Sequence, residues 1–244
     1  MPAPQKPTTV PAHAARRLVR GYAVGAAVFG AASVIGFSIG APLMGTMSAT
    51  AALVMAWTAR SMSRGSAGVP LVNLAYERLT RGRYEEAAAL LAQIPESALR
   101  SGHIARTVAI QRSIIALYAG DTTAAIDHAT RAIDAPTRLL TRQYEQRQMS
   151  TALSLRALAH ASLGNGAAAS ADAARAEAID VAPLDTHARV ALARAVLLAE
   201  SSDPAPLAEH LRTTGSLFEW LTPRERLVFR ALRRKARARP KSAY

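Results

Sequence analysis

Six histidines, at positions 13, 103, 128, 160, 187 and 210, are the side chains best suited to moving protons near neutral pH or to holding a metal. No two stand three or four residues apart, so no single helix turn presents a ligand pair. The chain has no cysteine, which removes thiolate ligands, thiol nucleophiles and disulfides. It carries no HExxH, phosphate loop, dinucleotide fingerprint or nucleophile elbow. Asp and Glu fall mostly in helix turns and caps. The expectation is therefore a protein that is not an enzyme, with no catalytic residue, cofactor or metal site.

The remaining chemistry is that of fixed positive charge. Lys and Arg number 30 against 17 Asp and Glu, a formal net charge of +13. Residues 1–60 hold five basic and no acidic residues, and residues 201–244 hold ten against four. The middle is nearly neutral, with fifteen basic against thirteen acidic residues over 61–200. Basic ends favour anionic partners, lipid headgroups or nucleic acid. Ala, Leu and Arg are abundant while β-branched and aromatic residues are sparse, which predicts an all-α fold.

Elements must position those charges. Residues 1–20 read as a basic, flexible N-terminus, with four prolines before position 12. From Gly21 to Ala59 there is no charged residue, His, Asn or Gln. One straight helix over this stretch would reach about 58 Å, against about 30 Å of bilayer hydrocarbon. "IGAPLMG" at 39–45 breaks it through Pro42, Gly40 and Gly45. The reading is a two-helix transmembrane hairpin over 21–60, its arms at 21–40 and 43–59. Arg16, Arg17 and Arg20 precede it, and Arg60 and Arg64 follow it. Positive-inside then puts both termini and everything after the hairpin in the cytoplasm, at the inner membrane. Tyr22 and Trp57 fall at the same interface. A cleaved signal peptide and a soluble buried hairpin are the alternatives. Gly21/Gly25 and Gly36/Gly40 are small-xxx-small pairs, expected to pack the arms together or to support self-association or contact with another membrane protein.

A linker is expected over 61–69, followed by a recurring pattern: Gly, then Ala five residues on, then a small or apolar residue four further. Gly82, Ala87 and Leu91 show it first; Gly120, Ala125 and Ala129 repeat it; Gly164, Ala169 and Ala173 repeat it again. The glycines are 38 and 44 residues apart. Each separates two amphipathic helices, and Pro136 and Pro183 mark exits from the second helix. A fourth pair is predicted over 186–201 and 203–215, with Asp203 capping a helix at Pro204. One pair cannot bury its apolar face alone, whereas three or more stacked pairs can.

Residues 70–215 thus resemble degenerate tetratricopeptide repeats. Leu74, Ala75, Gly82, Tyr84, Ala87 and Leu91 fall at that family's spacing. The second repeat has Arg112 where a Leu is usual, and the third has Gly166 at the aromatic position. The resemblance implies a right-handed helical-repeat solenoid that binds a protein partner in a groove lined by the first helix of each pair. It points to Asn73, Glu77, Arg106, Arg112, Arg147 and Gln148 as groove residues, with an ordinary solvated helix face as the alternative. Asn73 stands where some members clamp a partner's terminal carboxylate, but the next repeats lack the matching Asn. His160 and His187, on first helices, read as packing or exposed residues.

Residues 216–244 read as a basic capping helix and tail. Thr222, Pro223 and Glu225 form a capping-box start, with Leu221 placed to staple it. Leu227, Val228, Ala231 and Leu232 make an apolar stripe. Arg226, Arg230, Arg233, Arg234 and Lys235 offer an anionic-surface contact, flanked by Arg224, Arg237 and Arg239. "LTPRERLVFRAL" resembles the opening helix of a LuxR-type helix-turn-helix domain, but no recognition helix follows it, so DNA reading is not expected. The leading expectation is a membrane-anchored, non-enzymatic scaffold with a cytoplasmic protein-binding repeat domain. The alternative is a structural accessory subunit of a membrane complex. Nucleic-acid or anionic-lipid binding by the basic C-terminus is the weaker option.

Overall fold

The structure, a computed structural model, describes residues 12–66, 68–100, 102–136 and 142–237. The start of the expected flexible N-terminus and the tail with Arg239 lie outside the described residues. The chain is all-α, with no strand among the described residues. It divides into two compact units, one within 1–73 and 93–104, the other within 74–92 and 105–244.

The first unit is built on a helical hairpin of α1 (Ala12–Ser38) and α2 (Pro42–Ser66). Gly40 takes the left-handed conformation (φ 72°) that reverses the chain. Pro42 then opens α2, where its missing N–H costs nothing. The arms touch through small residues. A Cβ on Gly25 would lie 2.7 Å from Met55 Sδ, and one on Gly45 would lie 2.8 Å from the Phe37 ring. Ser33 Oγ donates to the Gly45 carbonyl across the pair at 2.9 Å. The large apolar side chains point away: Val24, Val28, Val34, Ile35, Leu53, Val54 and Trp57 are all exposed. The short α5 (Glu96–Leu99) packs on the α2 end of this unit, with Ala98, Ile94 and Ile104 closing around Gly68.

Two expectations change here. Among the described residues no helix is long and apolar enough to cross a membrane, so two spanning helices are not supported. Both arms are rich in Gly, Ala, Ser and Thr, which are less apolar than Leu, Ile or Val. The 61–69 linker is also largely helical, since α2 continues to Ser66 and the next helix, α3 (Val69–Thr80), begins three residues later.

The second unit is a series of helix pairs. α3 is followed by α4 (Tyr84–Ala92), α6 (Gly102–Ala119) by α7 (Thr122–Asp134), α8 (Arg142–Ser162) by α9 (Gly166–Glu177), and α10 (Leu184–Leu198) by α11 (Ala205–Thr213). The first three pairs turn identically. Gly82, Gly120 and Gly164 have φ of 76°, 83° and 73°. Each follows its helix as a Schellman C′ residue: Arg83 N–H donates to Arg78 O, Asp121 N–H to Ala116 O and Asn165 N–H to His160 O, all at 2.9 Å. The following helix then buries one register each time: Ala87 and Leu91; Ala125, Ala129 and Ala132; Ala169, Ala173 and Ala176. Spacing of i, i+4 and i+7 is one helix face, and alanine lets a neighbouring helix approach closely.

The main core lies among α8–α12, around Leu153, Leu158, Val190, Leu192, Leu207, Leu211, Phe218, Leu221 and Leu232. Residues Gly215–Trp220 form a 3₁₀ helix, and α12 (Pro223–Arg237) follows. Phe218 stacks on Phe229 with ring centroids 3.8 Å apart, fixing α12 to that turn. Asp203 caps at the start of α11, Oδ1 accepting from Ala205 N–H at 2.9 Å.

Candidate functional site

The most unusual chemistry of the second unit is a buried charge cluster at the start of α12. Arg189, on α10, donates through Nε to Glu225 Oε1 at 2.8 Å and through Nη1 to Asp185 Oδ2 at 2.8 Å. Arg189 and Glu225 are 4% and 3% exposed. A guanidinium this deep persists only where its charge is matched and its donors are used. Burial works against the charge, but Glu225 and Asp185 outweigh it and hold the Arg189 pKa above its ordinary value. Glu225 also closes the capping box of α12. Its Oε2 accepts from Thr222 N–H at 2.8 Å and from the Thr222 hydroxyl at 2.9 Å, while Glu225 N–H returns to Thr222 Oγ1 at 3.4 Å.

Aromatic residues from the earlier pairs surround the cluster. The Tyr118 hydroxyl, from α6, pairs with the Thr222 hydroxyl. Tyr84, from α4, packs on Tyr118 with centroids 4.4 Å apart. Burial raises the pKa of both Tyr76 and Tyr118, with Asp185 adding to the rise for Tyr76 and Glu225 for Tyr118. Both phenols are therefore held in the neutral form. The start of α12 thus joins first-helix residues of the second and fourth pairs, Tyr118 and Arg189. An open recess of about 450 Å³ remains beside it, lined by Gly82, Tyr84, Arg224, Arg226, Leu227 and Arg230.

The six expected groove residues stand in different surroundings. Arg106 is buried and capping the end of α7: Nε donates to Ala132 O at 2.9 Å and Nη2 to Ala135 O. Gln148 is buried, and its amide donates to Thr107 Oγ1 at 2.6 Å and to the Tyr144 hydroxyl at 3.0 Å. These two serve the fold. Glu77 is exposed and pairs with Arg81 at 2.9 Å. Arg147 is exposed, and Asn73 is half-buried. Arg112 is half-buried in a second recess of about 260 Å³ with Ala88, Leu91, Asp121 and His128. Burial, then Arg131 and Arg112, lowers the His128 pKa.

The small-xxx-small pairs also separate. Gly25 packs against Met55, whereas nothing lies within 4 Å of a Cβ on Gly21. Gly36 lies in α1, and Gly40 is the reversal residue rather than a packing one. Gly45, outside those two pairs, also packs closely, a Cβ there lying 2.8 Å from the Phe37 ring.

Of the basic C-terminal residues, two are already engaged. Arg226 donates to Leu221 O at 2.8 Å and Glu219 O at 2.6 Å, and Lys235 donates to Ala199 O. Arg230, Arg233 and Arg234 are exposed, alongside Leu227, Val228 and Trp220.

The Arg189–Glu225 pair was missed in the sequence because 36 residues separate its members. The capping box at Thr222 was the one local signal. Among the described residues no group of His, Asp and Glu could hold a metal ion. No protein-family model, no curated protein and no solved structure matches the chain.

Proposed function

We propose that the chain is a membrane-tethered, non-enzymatic scaffold, in which the α1–α2 hairpin is the tether and the tetratricopeptide-like helix pairs carry a protein-binding surface. The carrying observation is the hairpin's exterior. Its large apolar side chains are exposed, its charges are confined to the residues before Gly21 and after Ala59, and five of its hydroxyls are spent internally. Ser38 donates to Val34 O, Thr46 to Pro42 O, Thr50 to Thr46 O and Thr58 to Val54 O, besides the Ser33 bond to Gly45 O. A hydrocarbon environment requires such internal satisfaction. Arg16, Arg17, Arg20, Arg60 and Arg64 then favour the cytoplasmic face of the inner membrane for both termini and the helix pairs.

The repeated turns and registers support a protein-binding role by their likeness to tetratricopeptide repeats. Of the expected groove residues, Glu77 and Arg147 are the exposed charges offered to a partner. The test is crosslinking of the full chain in native membranes, followed by identification of its partner. Glu77→Lys with Arg147→Glu abolishes a specific crosslink if these charges form the surface. Failure of the chain to sediment with carbonate-washed membranes overturns the tether.

A second reading, an accessory subunit of a larger membrane assembly, is favoured by one observation. Nothing lies within 4 Å of a Cβ on Gly21 or Gly30, so a neighbouring helix could approach there. Loss of assembly in Gly21→Leu, with Glu77 and Arg147 variants silent, selects this reading.

A further inference from the structure

The tip of the hairpin has the wrong chemistry for water. Phe37, Ile39, Leu43, Met44 and Met47 are all more than half exposed, with Leu43 at 75%. No charged or amide side chain lies among residues 21–59, so nothing at the tip could anchor it among headgroups. Several polar groups there are bonded within the hairpin. Ile39 N–H donates to Ile35 O, Gly40 N–H to Phe37 O and Gly45 N–H to Ala41 O, while Pro42 has no N–H to satisfy. Ser38 and Thr46 return their hydroxyls to carbonyls one turn back. The open end is the reverse, with Arg17, Arg20 and Arg60 exposed.

We propose that this hairpin enters a bilayer from one side only and keeps its tip, Phe37 to Met47, among the acyl chains instead of emerging into water beyond. The inference rests on the tether reading above and adds a depth and a topology to it. The occupant of the apolar surface is lipid. The basic open end matches anionic headgroups in charge, and the tip matches hydrocarbon in having no free side-chain donor to hydrate. Length permits it: from Arg20 to Ile39 the helix rises about 28 Å, so a tilted hairpin keeps its tip within the roughly 30 Å hydrocarbon layer. A hairpin inserted as a unit packs Gly25 and Gly45 against the opposite arm and offers lipid its large apolar side chains.

The absence of cysteine makes a direct test available. Full-length chain carrying Leu43→Cys, and separately Ser202→Cys as a water-exposed control, is reconstituted into vesicles of phosphatidylglycerol and phosphatidylcholine. A membrane-impermeant maleimide is supplied outside, or trapped inside. The expected result is that both variants float with the vesicles, Ser202→Cys is labelled, and Leu43→Cys is labelled from neither side until detergent is added. A fluorophore attached at Leu43→Cys before reconstitution is quenched by lipids brominated deep in the acyl chain and not by headgroup-labelled lipids. Labelling of floated Leu43→Cys by trapped reagent means the hairpin spans, and labelling from outside means it lies on the surface. Either outcome overturns the one-sided insertion while leaving the tether intact. A tip protected from reagent but unquenched by deep bromines is covered by another copy of the chain, which also overturns it. A chain that does not float overturns the tether reading itself.

Discussion

Arg189 on α10 and Glu225 on α12 form a fully buried ion pair, Nε to Oε1 at 2.8 Å, across 36 residues of sequence. Asp185 completes the neutralisation of Arg189, and Thr222 uses the second oxygen of Glu225. The pair fixes where α12 starts, and so where its basic outer face stands. Breaking such a pair leaves a buried charge without a partner, while removing both members together is far milder.

Arg189→Met is therefore expected to destabilise the second unit by about 3–5 kcal/mol, because Glu225 and Asp185 are left facing each other. Arg189→Met combined with Glu225→Leu recovers a large part of that loss. Denaturant melts of the four chains in a double-mutant cycle measure the coupling. Equal losses in the single and double variants would show that the pair does not position α12.

Gly120→Ala forces a side chain into the left-handed region at φ 83°. The expected cost is about 1–2 kcal/mol. Ala119→Gly, one residue earlier and inside the helix, is the comparison, with a smaller cost of about 1 kcal/mol. Thermal midpoints followed by circular dichroism distinguish them.

Gly45→Leu drives a side chain into the Phe37 ring and is expected to loosen the hairpin by about 1–3 kcal/mol. Gly21→Leu meets nothing within 4 Å and leaves hairpin stability unchanged. Melting of the full chain in detergent micelles, read on the α1–α2 transition, tests the contrast. Equal effects would contradict the packing described.

His128 carries a pH-dependent contribution of defined sign. Burial first, then Arg131 and Arg112, lowers its folded-state pKa, with Asp127 and Asp121 opposing. As pH falls through the unfolded value of about 6.5 the unfolded chain binds the proton first. Stability is thereby lost as pH falls, until the folded histidine also protonates. His128→Gln removes this component, so its urea midpoint drops less than that of the parent between about pH 7.5 and 5.5. An identical drop in both chains would refute it.

Much of the fold is readable in the sequence because its signals are local. Gly82, Gly120 and Gly164 mark positive-φ turns, and the Ala residues five and nine places after Gly120 and Gly164 are the buried face of the next helix. A Schellman turn and an amphipathic register depend only on neighbours within about two helix turns. Pro42 and Gly40 likewise mark the hairpin reversal by their own backbone limits. The capping box of Thr222 and Glu225 is of the same kind.

What only the tertiary structure decided concerns side chains that act at a distance. Arg106 and Gln148 sit on first helices, as a groove residue would, yet they turn inward to partners 26 and 41 residues away. Arg189 carries no local mark separating it from an exposed arginine, because its burial is created by α12 folding back on Tyr118 and α10. Gly45 rather than Gly21 packs the hairpin, because the contact depends on where Phe37 stands after the chain reverses. Composition and periodicity set which face of each helix is apolar; which charged side chain is buried, and against what, depends on partners brought together only when the pairs stack.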